Sequence, residues 1–396
     1  MAVELTYVLI TPYTILKSRT GGVIARLLSR ADLELVAAQI ICPTQEFTEK
    51  YANSIFDTIG KKDLKSGAML RDYVLHNFSP HALTGGRRVM MLIFKGDNAC
   101  KKVYSIVGNF RLDAKTSDIR ITGETVRDTY ADLVYDEKGE IKYFEPAVLT
   151  PPNNDYAIAK LAMFAEFAES QPNLVEHMQY ADTENIERTL TIIKPDNWRY
   201  PSSKPGNIID IFSKTGLRII GCKIYQMSIN DALQFYAPVK DVLVQKLSPH
   251  IGEKSRDILE KELKIKIPKE TETVLSNSVG KLYALDQFYQ IIGFMSGKRP
   301  DEVSPDKYDE PGSVKCMILI YEGNNAVKKI REVLGPTDPN KAPSGTIRKE
   351  FGRDVMINTA HASDSAENAK REMAIVRMDK NNASEIIKSY LSQRSK

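Results

Sequence analysis

The chain has 396 residues, 42% apolar and 27% charged, with 55 basic side chains against 51 acidic ones. That length calls for two or three domains rather than one, and the apolar content excludes a disordered chain. The near-balance of charge excludes a general nucleic-acid coat, which needs a basic stripe. No apolar run is long enough to cross a bilayer, and Met1–Leu5 carries no secretory pattern. Cys42, Cys100, Cys222 and Cys316 lie far apart, three of them inside apolar runs. A cytoplasmic chain with buried thiols, no membrane and no nucleic-acid partner is the expectation.

Along the chain, Glu4–Tyr13 (ELTYVLITPY) reads as an alternating strand ending in proline. From Gly21, GGVIARLLSRADLELVAAQIICPT reads as an amphipathic helix, a polar break and a second strand. KGDNACKKVYSIVGNF follows from Lys95 and ITGETVRDTYAD from Ile121. Glu169–Ile186 is polar and aperiodic, as a linker is. Then the pattern recurs: ERTLTIIKPD (Glu187–Asp196), GNIIDIFSKTGLRIIGCKIYQMS from Gly206, EGNNAVKKIREVLGPT from Glu322 and PSGTIRKEFG from Pro343. The chain is an internal repeat. The second copy carries about 42 extra residues between Tyr236 and Gly323, and the first has extra residues near Tyr135–Glu145.

These patterns predict a domain at 1–168, a linker at 169–186 and a second domain at 187–396 with an insertion at about 240–311. The fold class is α/β, as an α+β sandwich: two ferredoxin-like βαββαβ domains with helical insertions. Neither a GxGxxG nor a GxxxxGK[ST] is present, so phosphates would be handled by another route.

The segment Ile357–Glu367 (INTAHASDSAE) carries the most chemistry. Asp364 and Glu367 read as a capping box, so His361 lies just upstream of a helix N-terminus, whose dipole favours an incoming anion. An imidazole there can accept a phosphoryl group. His76, His81, His177 and His250 have no such company. His361 has Lys194 after an apolar strand, Arg331 on a helix, Thr337 in a Gly-Pro-Thr loop and Arg348 after a tight turn. Phosphoryl transfer needs these cations and hydroxyls for positioning and charge neutralisation.

ERTLTIIKPD, KKIREVLGPTDP, PSGTIRKEFG and NTAHASDS together resemble the nucleoside diphosphate kinase family over 187–376 apart from the insertion. A weakened likeness covers 4–167. The resemblance implies a ferredoxin-like fold and a transferase that passes the γ-phosphate of ATP to a nucleoside diphosphate, ping-pong, through phospho-His361. Glu372 would orient the imidazole, and Ser363 would back up the glutamate. Lys194, Arg331, Thr337 and Arg348 would hold phosphates. Tyr236 would sit beside the transferring group, and Asn358 would contact the sugar. Partners would be ATP, GTP and ADP. Mg²⁺ would ride on the nucleotide phosphates rather than on a protein metal site, with Asp364 near it through water.

Two departures from the family pattern stand out. After Lys194-Pro195-Asp196 the family usually has glycine and a short loop, whereas this chain reads Asn197-Trp198-Arg199-Tyr200-Pro201. The insertion Lys240–Pro311 replaces the segment whose aromatic covers the base; Tyr283, Phe288, Tyr289 and Phe294 there read as helical core. In the first copy Thr11 replaces Lys194, Tyr104 replaces Arg331, Phe110 replaces Thr337 and Pro151 aligns with His361, while Tyr51 and Arg127 persist. That copy is expected to fold but to be catalytically silent. An intrachain pseudo-dimer with Thr6–Ile10 beside Thr189–Ile193 is expected, and a higher homo-oligomer is open. A nucleotide-binding regulatory scaffold with little turnover is the rival reading.

Overall fold

The computed structural model describes residues 3–61, 63–81, 86–110, 123–176 and 178–394. His177 and residues 111–122, the latter overlapping the ITGETVRD motif, lie outside the described residues.

Among the described residues ten strands run β1 (Val3–Ile10), β2 (Glu34–Ile41), β3 (Val89–Asp97), β4 (Asp132–Tyr135), β5 (Ile141–Glu145), β6 (Val148–Leu149), β7 (Ile186–Ile193), β8 (Arg218–Tyr225), β9 (Cys316–Asn324) and β10 (Ala360–Ala362). They form two four-stranded sheets, ordered β2-β3-β1-β6 and β10-β7-β9-β8, and a β4-β5 hairpin. Read from the same end, both sheets have the ferredoxin-like order fourth-first-third-second. The ladder of Val3–Ile10 on Asp97–Met90 is repeated by Ile186–Ile193 on Asn324–Met317. The central strands are apolar on both faces: Leu5 and Tyr7–Ile10, and Cys316–Tyr321, are almost fully buried. That double burial explains why their sequences read as near-continuous apolar runs.

The chain separates into two compact units, Met1–Ile224 with Met317–Lys396, and Tyr225–Cys316. Both sheets belong to the first. There the helix Thr20–Arg30 packs on the helix Lys204–Ser213. Gly21 and Gly206 permit the approach, since a Cβ on either would overlap backbone of the facing helix. The outer strands β2 and β8 face the same junction: Asn381 Nδ2 donates to Ala38 O at 2.9 Å and to Cys222 O at 3.2 Å. Val175 N donates to Ile220 O at 2.8 Å. The C-terminal helix Ala383–Arg394 buries Ala383 and Ile387 in the hydrophobic core of the first copy.

The expected pairing of Thr6–Ile10 with Thr189–Ile193 is not what the structure has. Each segment is an inner strand of its own sheet, with its hydrogen bonds taken by β3 and β6 or by β9 and β10.

The second unit, into which the expected insertion falls, is helical: Ile229–Phe235, Ala237–Leu263, Lys269–Leu275 and Lys281–Ser296. Ser228 and Asp231 form a reciprocal capping box at its start. Phe288 is core there, but Tyr283 is 42% exposed and Tyr289 and Phe294 are half-buried, so only one of the four aromatics packs as the helical pattern suggested.

Candidate active site

The site is built where β7 ends beside β10. His361 is the middle residue of β10, opposite Ile192. The helix Ala366–Ile375 follows, and it brings Glu372 back under the ring. His361 Nε2 lies 3.0 Å from Glu372 Oε2, and Ser363 Oγ donates to the same oxygen at 2.6 Å. The glutamate side chain is only 6% exposed, the histidine 21%. With Nε2–H given to the carboxylate, the lone pair sits on Nδ1. The helix cap is Ser365, whose hydroxyl accepts from Asn368 N at 3.0 Å, not the expected Asp364. Asp364 instead accepts from the Asn368 side chain at 2.6 Å.

Lys194 follows β7 and is buried, and its Nζ donates to Asn358 Oδ1 at 2.6 Å. Burial, with the Arg348 charge nearby, holds its ammonium down to about 8. Asn358 Nδ2 donates to Thr337 O at 3.2 Å and to Val355 O at 2.8 Å. Arg348 donates to Gly335 O at 3.0 Å and to Ala360 O at 3.1 Å, tying the Gly-Pro-Thr loop to β10. Gly335 has φ +84°, and a Cβ there would press on Thr346 Oγ1 at 2.8 Å. Thr337 and Arg331 are exposed. Tyr236, buried at the end of the helix Ile229–Phe235, belongs to the second unit. His361, Glu372 and Ser363 thus form one cluster; Lys194 and Asn358 form another, joined to Thr337 through its carbonyl.

Thr359, between Asn358 and β10, has φ +73° and is fully buried. A β-branched residue held in that left-handed region costs on the order of 1–3 kcal/mol and persists only where its surroundings fix it. Its carbonyl accepts from Lys194 N at 2.9 Å and from Asn197 Nδ2 at 2.9 Å. Sequence reasoning noticed Asn197 only as a departure from the family pattern.

The first copy shows what the same frame becomes without this chemistry. Leu149, opposite Leu9, stands where His361 stands opposite Ile192. Pro151 is two residues further on, so matching Ala159-Lys160 with Ala369-Lys370 sets the two helices out of register by two residues. The helix caps Asn153 and Ser365 are equally far from their strands, which puts Lys160 in the place of Glu372. Lys160 is buried, donates to Ser54 O at 2.7 Å and is held down to about 8 by burial. Arg127 repeats the Arg348 contacts, donating to Gly108 O and to Val148 O. However, the ring centre of Phe110, the Thr337 counterpart, lies 3.6 Å from its guanidinium carbon. In the Lys194 place, Thr11 donates to Glu145 at 2.9 Å, and Tyr73 donates to the same carboxylate at 2.6 Å. Burial pushes the Glu145 carboxyl up from the usual carboxylate range.

Among the described residues no group of three or more His, Cys, Asp or Glu side chains could hold a metal ion. No helix among them is long and apolar enough to cross a membrane.

The family model for nucleoside diphosphate kinase matches residues 187–247 and 301–381. The nucleoside diphosphate kinase of Anaeromyxobacter sp. (strain K) is 34% identical over 189 residues, covering 48% of this chain and 87% of that protein. Nucleoside diphosphate kinase 2 of Protochlamydia amoebophila (strain UWE25) is 34% identical over 188 residues, covering 48% and 89%. Among solved structures, an NDP kinase from Pyrobaculum aerophilum is 25% identical, covers 48% of this chain and 94% of its own, and has a TM-score of 0.31. The chain belongs to the nucleoside diphosphate kinase family.

Proposed function

We propose that the second copy is a nucleoside diphosphate kinase centre working by a ping-pong path through His361. The observation that carries this reading is the His361–Glu372–Ser363 chain at the end of β10, where one buried carboxylate accepts from both Nε2 and a hydroxyl. The Nδ1 lone pair attacks the γ-phosphorus of ATP. A P–N bond forms, the P–O bond to ADP breaks, and ADP leaves with that bonding pair. A terminal phosphate oxygen of a second nucleoside diphosphate then attacks the phosphorus, the P–N bond breaks, and the electron pair returns to Nδ1. Glu372 offsets the positive charge the ring gains while phosphorylated. Lys194, Arg331, Arg348 and Thr337 hold phosphate oxygens, and Asn358 contacts the sugar.

Mg²⁺ would arrive on the nucleotide phosphates and neutralise part of their charge, with Asp364 near it through water.

The first copy is a silent partner. It pairs with the second through the helices Thr20–Arg30 and Lys204–Ser213 as an internal dimer, in a cytoplasmic protein. A coupled exchange assay with ATP and a second nucleoside diphosphate tests the reading. Turnover in the wild type and none in His361→Ala is expected; undiminished initial rates in His361→Ala overturn it.

A further inference from the structure

Two carbonyls flank the Lys194 α-carbon, and each is held by a side chain from the segment that departs from the family pattern. Trp198 Nε1 donates to Ile193 O at 3.1 Å, and Asn197 Nδ2 donates to Lys194 O at 3.1 Å. The second hydrogen of the same Asn197 amide goes to Thr359 O at 2.9 Å. Asn197 is 3% exposed. One buried amide therefore ties the residue that carries the phosphate-binding ammonium to the strained residue two positions before His361.

We propose that Asn197 is a positioning residue for phosphoryl transfer, bridging Lys194 and Thr359 so that the imidazole of His361 and the ammonium of Lys194 keep one fixed separation. It rests on the reading of His361 as phosphoryl acceptor. Three features of the chain support it. Thr359 is β-branched at φ +73°, and the Lys194 N–H alone is one donor to its carbonyl; Asn197 supplies the second. Asn358 and Ala360 flank Thr359, so any rotation there moves the Lys194–Asn358 contact and the strand carrying His361 together. The first copy, folded on the same frame, contains the same device in other atoms. There Ala147, at φ +63°, accepts from Thr11 N at 3.2 Å and from Thr14 Oγ1 at 2.9 Å. Thr14 follows Thr11 as Asn197 follows Lys194. The frame thus accepts either an amide or a hydroxyl at this place, provided that it donates.

The Thr14 arrangement supplies the control. Asn197→Thr restores a donor of the kind the first copy uses, and Asn197→Val has the same shape without one. The readouts are the single-turnover rate of His361 phosphorylation from γ-labelled ATP with Mg²⁺, steady-state kcat and KM, and thermal midpoints. Misalignment of reacting groups by about an ångström costs on the order of 10²-fold. Asn197→Val should therefore phosphorylate His361 roughly 10- to 100-fold more slowly than wild type, with KM for ATP within about threefold. Asn197→Thr should regain at least about tenfold of that loss. A merely structural role would lower the thermal midpoint without this split between kcat and KM and without rescue by the hydroxyl. Equal rates for folded Asn197→Thr and Asn197→Val, with wild type labelled on His361, overturn this proposal alone. Wild type that never labels His361 overturns the functional reading and this proposal with it. If Asn197→Val does not fold, Asn197→Ser against Asn197→Ala gives the same donor contrast.

Discussion

Replacing Glu372 by glutamine keeps the volume, leaves an acceptor for Nε2–H and removes one charge from a side chain that is 6% exposed. In the resting state the loss is small, because a neutral imidazole gains little from a full charge. It appears when Nδ1 takes the phosphoryl group and the ring becomes cationic. With the carboxylate oxygen 3.0 Å from Nε2, charge centres about 4 Å apart at an effective dielectric of about 20 interact by about 4 kcal/mol. The glutamine dipole and the Ser363 hydroxyl recover part of this, leaving a loss of about 2–3 kcal/mol, or about 30- to 150-fold in rate. The assay is the single-turnover rate of His361 labelling in Glu372→Gln, beside the equilibrium level of phosphoenzyme at a fixed ATP/ADP ratio. Both should fall. Ser363→Ala removes one hydrogen bond and should cost about 1 kcal/mol, or about fivefold. A Glu372→Gln protein within threefold of wild type in both measurements refutes the electrostatic role.

The Lys194 ammonium must be charged to bind a polyphosphate, so kcat/KM for ATP should fall as pH rises through about 8. Lys194→Arg should abolish that limb in whatever activity remains; a wild-type profile flat well above pH 8 contradicts it. The same depression means that the unfolded chain binds more protons than the folded one from about 8 up to the usual lysine range. Lys194 should therefore add stability as pH rises through that window, visible as a thermal midpoint that gains less in Lys194→Met. Arg127→Ala should leave exchange intact yet destabilise by about 2–4 kcal/mol, since it strands the carbonyls of Gly108 and Val148. Lost exchange with an unchanged melting temperature would mean that the first copy takes part in the chemistry. Ile387→Ala should cost about 2–4 kcal/mol in denaturant unfolding, because this C-terminal side chain is buried in the first copy's core; a loss below about 0.5 kcal/mol contradicts that packing.

The repeat was legible in the sequence because both copies bury the same central strands on both faces, and burial writes long apolar runs. His361, Glu372, Ser363, Lys194 and Asn358 were legible through their motifs, and the structure joins the first three in one cluster and the last two in another. The interface was not: Thr6–Ile10 and Thr189–Ile193 look like free strands until their sheet neighbours are known, and the true contact depends on two small residues, Gly21 and Gly206, that read as ordinary helix starts. The counterpart of His361 was misread as Pro151 because the Ala-Lys pair common to both helices matches two residues out of register, whereas the β6 register fixes it at Leu149. The Thr11–Glu145–Tyr73 hydrogen bonds and the Phe110–Arg127 contact join distant parts of the chain and leave no local sequence signal. Arg348, read as a phosphate clamp, holds two carbonyls, a duty that Arg127 shares in the first copy.

Phosphorylation of the histidine itself is the most direct test. The intact protein is incubated with ATP and Mg²⁺, digested under alkaline conditions and sequenced by mass spectrometry. The account predicts one acid-labile phosphoryl group on His361, discharged within a single turnover by added nucleoside diphosphate and missing from His361→Ala. A protein that exchanges phosphate while His361 stays unmodified, or that carries the label on another residue, contradicts it.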